Sequence, residues 1–468
     1  MYGDGQQAGD LVGITISARA GLYTGTSGYF TGSTTQSGKA LPLADQSKFR
    51  NNAELGSIWL SDGKLVTATL GSGLSGQVVN PVGYATEDDV VFTDGWVRFG
   101  GEGVAVSVGG DLTVSGDIAR LEIGGGTYTV CDQAVSMAGI SAGATTVSLT
   151  VGGNLLVGDG ARLDIRSAET NLTSTFGATV AVDGDFTVGA KATVAPWSDL
   201  FTGGSVSFAV GGGFTVAEEG VFTADGLGFA AQGATGDPAF CPGRGSLTAA
   251  GGYGGKGGIG YNKGAQMTGS AAAPYGDEQH PMLAGSGAGF YSYGFGGNGG
   301  GVVYVTAQGD ILVNGRISAN GAQGVGADED WNWKYSAWQP SGSGGSVYLY
   351  GKTFSGTGVI QANGGDGRQL ILSGTGLQAV GRGGGGRVAI WAGATSGERL
   401  KVRKASSVAE LSGGFSGSCQ ATTGAVSFRY DASEETKTAA TPACTAGQAG
   451  TVCFCTVKER QGVLLIVR

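Results

Sequence analysis

The chain reads as an all-β protein: a right-handed, single-stranded parallel β-helix (β-solenoid) with glycine-rich loop insertions at one corner and a small cysteine-containing C-terminal β cap. Three observations predict this. A short strand phrase recurs with constant pattern and uneven spacing. Glycine supplies 95 of 468 residues with no triplet register. Glycine-rich excursions interrupt successive repeats at matching points.

The strand phrase is an acidic, amide or glycine residue, a large apolar residue, any residue, and Val. It occurs as Asp111-Leu112-Thr113-Val114, Asn154-Leu155-Leu156-Val157, Asp185-Phe186-Thr187-Val188, Gly213-Phe214-Thr215-Val216 and Asp310-Ile311-Leu312-Val313. A glycine precedes each copy (Gly110, Gly153, Gly184, Gly212, Gly309), and an alternating apolar run such as Val106/Val108 or Leu149/Val151 precedes that glycine. Each copy therefore reads strand, glycine corner, strand. The large apolar residues are 43, 31, 28 and 97 residues apart. A solenoid tolerates this, because its cross-section is fixed while its corners accept insertions. Alternation of period two turns the Val, Leu and Ile of each coil to one side, so stacked coils form apolar ladders. Third strands align as well, at Leu121-Glu122-Ile123, Leu163-Asp164-Ile165, Val194 and Phe222. Roughly nine or ten coils at about 4.8 Å each would give a rod some 45 Å long.

Composition agrees. Glycine far exceeds the usual 7% or so, yet nine prolines and the missing Gly-X-Y register exclude collagen. Hydrophobic residues at 41% are too many for a disordered tract, and charged residues are only 14%.

Four regions follow. Residues 1–100 hold an N-terminal β cap and first coils, with strand signals at 11–16, 57–60, 90–92 and 96–99; a cap is needed because an open end exposes a strand edge and the apolar ladder. Residues 101–225 carry the strand phrase. Residues 226–395 form a glycine-rich module with long loops. In it, coils open on Gly299–Val305, Gly344–Leu349 and Gly385–Ile390 and close on Ile317-Ser-Ala-Asn-Gly321 and Ile360-Gln-Ala-Asn-Gly364. Residues 396–468 form the C-terminal β cap. Insertions at roughly 226–298, 322–343 and 365–383 occupy one point of successive coils, so they are expected to leave by one corner and lie side by side. The densest glycine run, 251–260, has little side-chain burial to offset ordering costs of about 1–2 kcal/mol per residue. It requires close backbone approach between extended chains, of polyproline-II type.

The series Gly251-Gly-Tyr-Gly-Gly-Lys-Gly-Gly258, Pro274-Tyr-Gly-Asp277, Gly296-Gly-Asn-Gly-Gly-Gly301, Ile317–Gly321, Gly342–Val347 and Gly383–Ile390 resembles the glycine-rich parallel β-helix module of large bacterial secreted and surface proteins. The upstream coils are similar to the strand repeats of autotransporter passengers and adhesins. The resemblance spans about 150 residues, 250–395. It implies a surface or matrix role and brings no catalytic motif.

Four of six cysteines, Cys419, Cys444, Cys453 and Cys455, crowd the end. Their density suggests disulfide staples for the cap and an oxidising compartment. Three pairings are open; buried free thiols and a metal site are the rival readings, the latter disfavoured by the Cys453-Phe454-Cys455 spacing. No metal or cofactor is expected.

A net charge of −9 without a basic stripe argues against nucleic acid or an anionic membrane as partner. No run approaches a membrane span. The first 30 residues lack a basic start and apolar core, so an export signal is expected to have been removed or to lie outside these residues. The expected location is extracellular or at the cell surface.

The strongest binding signal is the loop Asp328-Glu329-Asp330-Trp331-Asn332-Trp333-Lys334-Tyr335-Ser336-Ala337-Trp338, which holds three of the seven tryptophans. Trp331, Trp333, Tyr335 and Trp338 beside Asp328 and Asp330 suit sugar stacking with hydroxyl hydrogen bonding, or a protein-contact anchor. A private mini-core over glycine-rich neighbours is the alternative. The only histidine, His280, reads as a surface residue. The expected function is a non-catalytic structural or adhesive element that contacts carbohydrate, other surface proteins or copies of itself, as an oligomer or filament. The rival is a polysaccharide lyase using Arg368, Arg382 and Arg387, or a glycoside hydrolase drawing on Asp328, Glu329, Asp330 and Asp366.

Overall fold

The structure is a computed structural model. It describes residues 83–459 except 94, 101–102, 125–145, 159, 171–174, 232–240, 263–264, 267–268, 290–293, 327–338, 373–375, 394–399 and 429–446, together with short strands at 35–36, 39–40, 57–58 and 76–78. The described residues are all-β, with no α-helix and one 3-10 turn at Val408–Glu410. Three long, largely parallel sheets make a solenoid-like stack in which the chain visits the first, second and third sheets in turn. One such coil is Val147–Val151, Leu155–Gly158 and Arg162–Arg166.

Register is set by the apolar alternation, since a slip of one residue would turn every inward side chain to solvent. In the second sheet Val90, Leu112, Leu155, Phe186, Phe214, Ile311 and Phe354 stand in one column. The first sheet stacks Val106, Leu149, Val180, Phe208, Val305, Leu349 and Ile390. The third stacks Val97, Leu121, Leu163, Val194, Phe222, Ile317 and Ile360. All of these are buried in one continuous core. Where the columns carry phenylalanine, the rings of Phe186, Phe208, Phe214 and Phe222 meet across all three sheets at centroid distances of 5.1–6.1 Å. Burying one such side chain is worth about 1.5–3 kcal/mol. Ordering its backbone costs about 1–2 kcal/mol per residue. An isolated coil therefore cannot persist, and stacking supplies the margin.

The variable first residue of the strand phrase is a coil-to-coil clamp. Asp89 Oδ1 accepts the N–H of Asp111 at 2.8 Å, Asp111 Oδ1 that of Asn154 at 2.6 Å, Asn154 Oδ1 that of Asp185 at 2.9 Å, and Asp185 Oδ1 that of Gly213 at 2.7 Å. The preceding glycine makes room for it. A Cβ on Gly153 would lie 2.1 Å from Asp111 Oδ1. A second ladder runs Asp225, Asn320, Asn363, Thr422, each side-chain oxygen accepting the next N–H at 2.6–2.8 Å. The closing phrase Ala-Asn-Gly is thus a clamp of the same kind.

Seven three-strand coils lie between Tyr84 and Gln361, followed by an eighth that contributes Arg387–Gly393 and Ser418–Gln420. The third sheet continues past Trp96–Phe99 through Gly76–Val78 to Ser57–Ile58, so that with Ser418–Gln420 at its other end it stacks ten strands, in keeping with the nine or ten coils expected. The long connections 224–301, 319–345 and 362–386 each run from a third-sheet strand to the next first-sheet strand. At the C-terminal end, Thr451–Glu459 extends the first sheet in parallel, and Leu400–Ala405 pairs with it antiparallel.

Candidate functional site

The aromatic loop singled out from the sequence, with Asp328, Asp330, Trp331, Trp333, Tyr335 and Trp338, lies outside the described residues. Its two feet are described. Val325–Gly326 pairs antiparallel with Gly294–Phe295, and Gln339 to Ser343 are buried. The loop is therefore tethered at both ends to the glycine-rich connections.

Those connections are joined in three dimensions. Within 341–345, Ser341 and Gly344 donate to Gly381 and Gly384, while Gly342 and Gly345 donate to Ala322 and Ala319. Ser343 donates to Ser286 and accepts from Gly300, Ser341 accepts from Gly251, and Gly342 accepts from Gly365. A β-strand has two hydrogen-bonding neighbours; this segment has six. The period is three, as in a polyproline-II helix, and it recurs where Gly383 and Gly386 donate to Gly365 and Ala362. Such packing leaves no space for a side chain at the contacts: a Cβ on Gly342 would sit 1.9 Å from the Asn298 carbonyl oxygen. The few side chains inside are locked in. Ser343 Oγ accepts the Ser286 N–H at 2.8 Å, and Tyr253 Oη lies 2.8 Å from Ser346 Oγ.

From this assembly the excursion 274–281 crosses the outer face of the first sheet. The Arg387 guanidinium donates twice to the Tyr275 carbonyl, at 2.8 and 3.0 Å, and Trp391 Nε1 donates to the Gln279 carbonyl at 2.8 Å. Lys404 reaches Glu278 at 2.8 Å. His280 is exposed, and its ring lies 4.5 Å from Trp391 and 5.6 Å from Tyr348; Tyr348 in turn stacks on Tyr304 at 4.6 Å.

A second outward cluster, absent from the sequence reading, covers the third sheet. Trp96, Arg120 and Arg162 share one column, Arg98, Glu122 and Asp164 the next, and Arg166 and Trp197 a third. Arg120 stacks on Trp96 at 4.2 Å and donates to Asp164 at 2.9 Å; Trp96 donates to Glu122 at 3.2 Å. The mirror arrangement has Arg166 stacked on Trp197 at 4.0 Å and donating to Glu122, with Trp197 donating to Asp164 at 2.9 Å. Glu122 is 2% exposed and Asp164 0%. Burial alone would raise the Glu122 carboxyl, but Arg166 and Arg120 outweigh it and hold it below the ordinary carboxylate range. Burial pulls Asp164 the same way, and Arg162 and Arg120 overcome it more strongly. Both groups stay ionised near neutral pH, so neither can serve as a general acid. They brace the coils.

The groups nominated for catalysis are likewise engaged. Asp366 Oδ1 accepts the Ala425 N–H at 2.7 Å, Arg382 Nη1 donates to the Gly424 carbonyl at 3.4 Å, and Arg387 binds Tyr275 as above. Arg368 lies on the strand Gly367–Leu372; Glu329 is outside the described residues. Cys419, Cys453 and Cys455 are free thiols in the structure, while Cys444 lies outside the described residues. Cys453 and Cys455 are buried against Trp391 and Tyr348, their sulfurs 3.7 Å apart, and Cys419 ends the inward column after Ile360. Among the described residues no group of three or more His, Cys, Asp or Glu is placed to hold a metal ion, and no helix is long and apolar enough to cross a membrane. Compared with family models, curated proteins and solved structures, the chain matches none.

Proposed function

We propose that the chain is a right-handed parallel β-helix of the glycine-rich secreted and surface type, serving as a non-catalytic structural or adhesive element of a bacterial surface, matrix or filament. Glycine-rich excursions leaving by one corner present Trp331, Trp333, Tyr335 and Trp338, with Asp328 and Asp330, to carbohydrate or to another subunit. The observation that carries this reading is the hydrogen-bonded glycine assembly at the feet of that loop. A segment with six neighbours is a rigid mount, and rigidity at a contact site lowers the ordering cost of binding. The buried Glu122 and Asp164 carboxylates, Asp366 and Arg387 are engaged in holding the fold. An extracellular location and self-association belong to the same reading.

The test is a glycan array with the intact chain beside its Trp331→Ala, Trp333→Ala and Trp338→Ala variants, light scattering at high concentration, and lyase and reducing-sugar assays. The expected result is glycan binding or self-association that the variants abolish, without turnover. Turnover of any polymer that is lost in Asp366→Ala or Arg382→Ala would replace this reading by the enzymatic one.

A further inference from the structure

A groove lies on the outer surface where the second sheet turns into the third, away from the glycine-rich corner. Its cavity of about 460 Å³ spans three successive coils. Glu219, Asn314, Arg316 and Gln361 rim it, and Val221 and Val359 form its floor on either side of Arg316. We propose that this groove binds a neutral, linear polysaccharide laid along the coil axis.

The chemistry of the rim favours sugar. A carboxylate accepts from paired hydroxyls, a guanidinium donates to them, the Gln361 carboxamide does both, and the Asn314 amide donates while its Oδ1 accepts the Thr357 N–H at 3.2 Å. The valines, one coil to either side of Arg316, offer apolar contact for the C–H face of a ring, and the three coils under the groove lie about 4.8 Å apart along its length. A peptide strand would need an unpaired sheet edge. None is offered, because the backbone beneath is laddered: Arg316 N–H to the Gly220 carbonyl and Val359 N–H to the Gly315 carbonyl, both at 2.9 Å. Neutrality follows from charge. Arg316 is already answered by Asp225 at 3.8 Å, and Glu219 adds a second carboxylate, so a uronate would meet net negative charge. Arg316 is 46% exposed, which leaves its guanidinium accessible.

The site is independent of the aromatic loop, and the experiment separates the two. The intact chain is titrated calorimetrically with neutral gluco-, manno-, xylo- and galacto-configured hexasaccharides and with oligouronates. At least one neutral hexasaccharide should bind. Arg316→Ala and Gln361→Ala should each weaken it about tenfold, the equivalent of one lost hydrogen bond to a charged or amide group, with unchanged melting temperature. Trp333→Ala should leave this binding intact. The proposal is overturned if no neutral hexasaccharide binds, if oligouronates bind more tightly, or if binding survives both groove variants. Loss on Trp333→Ala alone would leave the loop reading standing and remove this one.

Discussion

The Oδ1 atom of Asp111 accepts the backbone N–H of Asn154 at 2.6 Å, across 43 residues of chain and one step of the stack. Gly153 is the glycine that lets it in, since a Cβ there would meet the same oxygen at 2.1 Å. Gly153→Ala should therefore cost about 2–3 kcal/mol. In an Asp111→Ala background the cost should shrink by about 1 kcal/mol, because the clashing oxygen is gone. Urea melts of the four members of this cycle measure it; strict additivity would mean that the carboxylate is not the glycine's partner.

The Glu122/Asp164 network predicts acid sensitivity. Both carboxyls are held below their ordinary range when folded. Their contribution to stability is thus complete above the unfolded value near 4 and is lost as pH falls below it. Asp164→Asn should cost about 3–5 kcal/mol at pH 7, since it strands Arg120 and Arg162, and should flatten the decline in melting temperature from pH 4 to pH 2. An unchanged acid limb would show that the network does not govern acid unfolding.

Three coils make the same turn, closed by Ala161 N–H to Gly158, Ala192 N–H to Gly189 and Gly220 N–H to Ala217. Its third residue is left-handed each time: Gly160 at φ 81°, Lys191 at 59° and Glu219 at 63°. A left-handed residue with a Cβ costs roughly 1–2 kcal/mol, partly offset by the extra freedom of glycine in the unfolded chain. Lys191→Gly should stabilise by about 0.5–1 kcal/mol, and Gly160→Ala should destabilise. Calorimetric melting temperatures moving in the opposite directions would contradict the shared turn.

Burial pushes the Cys419 and Cys455 thiols up to about 12, which suppresses the reactive thiolate. Thiol titration with Ellman's reagent at pH 8 should be slow in the native protein and rapid in denaturant, and dithiothreitol should leave the melting temperature unchanged. A fall of several degrees on reduction would show that a disulfide involving Cys444 secures the cap.

Much of this architecture is legible in the sequence because stacking writes a repeat. Leu112, Leu155, Phe186 and Phe214 mark one column, and the aligned Leu121, Leu163, Val194 and Phe222 mark another. The acid, amide or glycine before each large apolar residue is visible in the sequence, but the clamp that the acids and amides make appears only once neighbouring coils are set in register. The Arg–Trp–carboxylate network was not legible. Its members span Trp96 to Trp197 with no fixed spacing, and only pairing of the third-sheet strands brings them together. A lone histidine before a proline reads as a surface residue, and His280 is exposed, but its seat on Trp391 and Tyr348 depends on an excursion folding back across the 112 residues between Gln279 and Trp391. Glycine density signalled close backbone approach; the period-three bonding to six neighbours needed coordinates.

The central claim is that distance along the molecule counts coils and not residues. The outward column Val91, Thr113, Leu156, Thr187, Thr215, Leu312, Ser355 allows it to be measured by pulsed dipolar spectroscopy between paired nitroxides. At about 4.8 Å per step, backbone separations should be about 19 Å for Thr113 with Leu312, about 24 Å for Thr113 with Ser355, and about 29 Å for Val91 with Ser355. A linear rise with step number, after a common label offset, is the predicted result. Distances that instead follow sequence separation, with a jump across the 97 residues between Phe214 and Ile311, would contradict the stack.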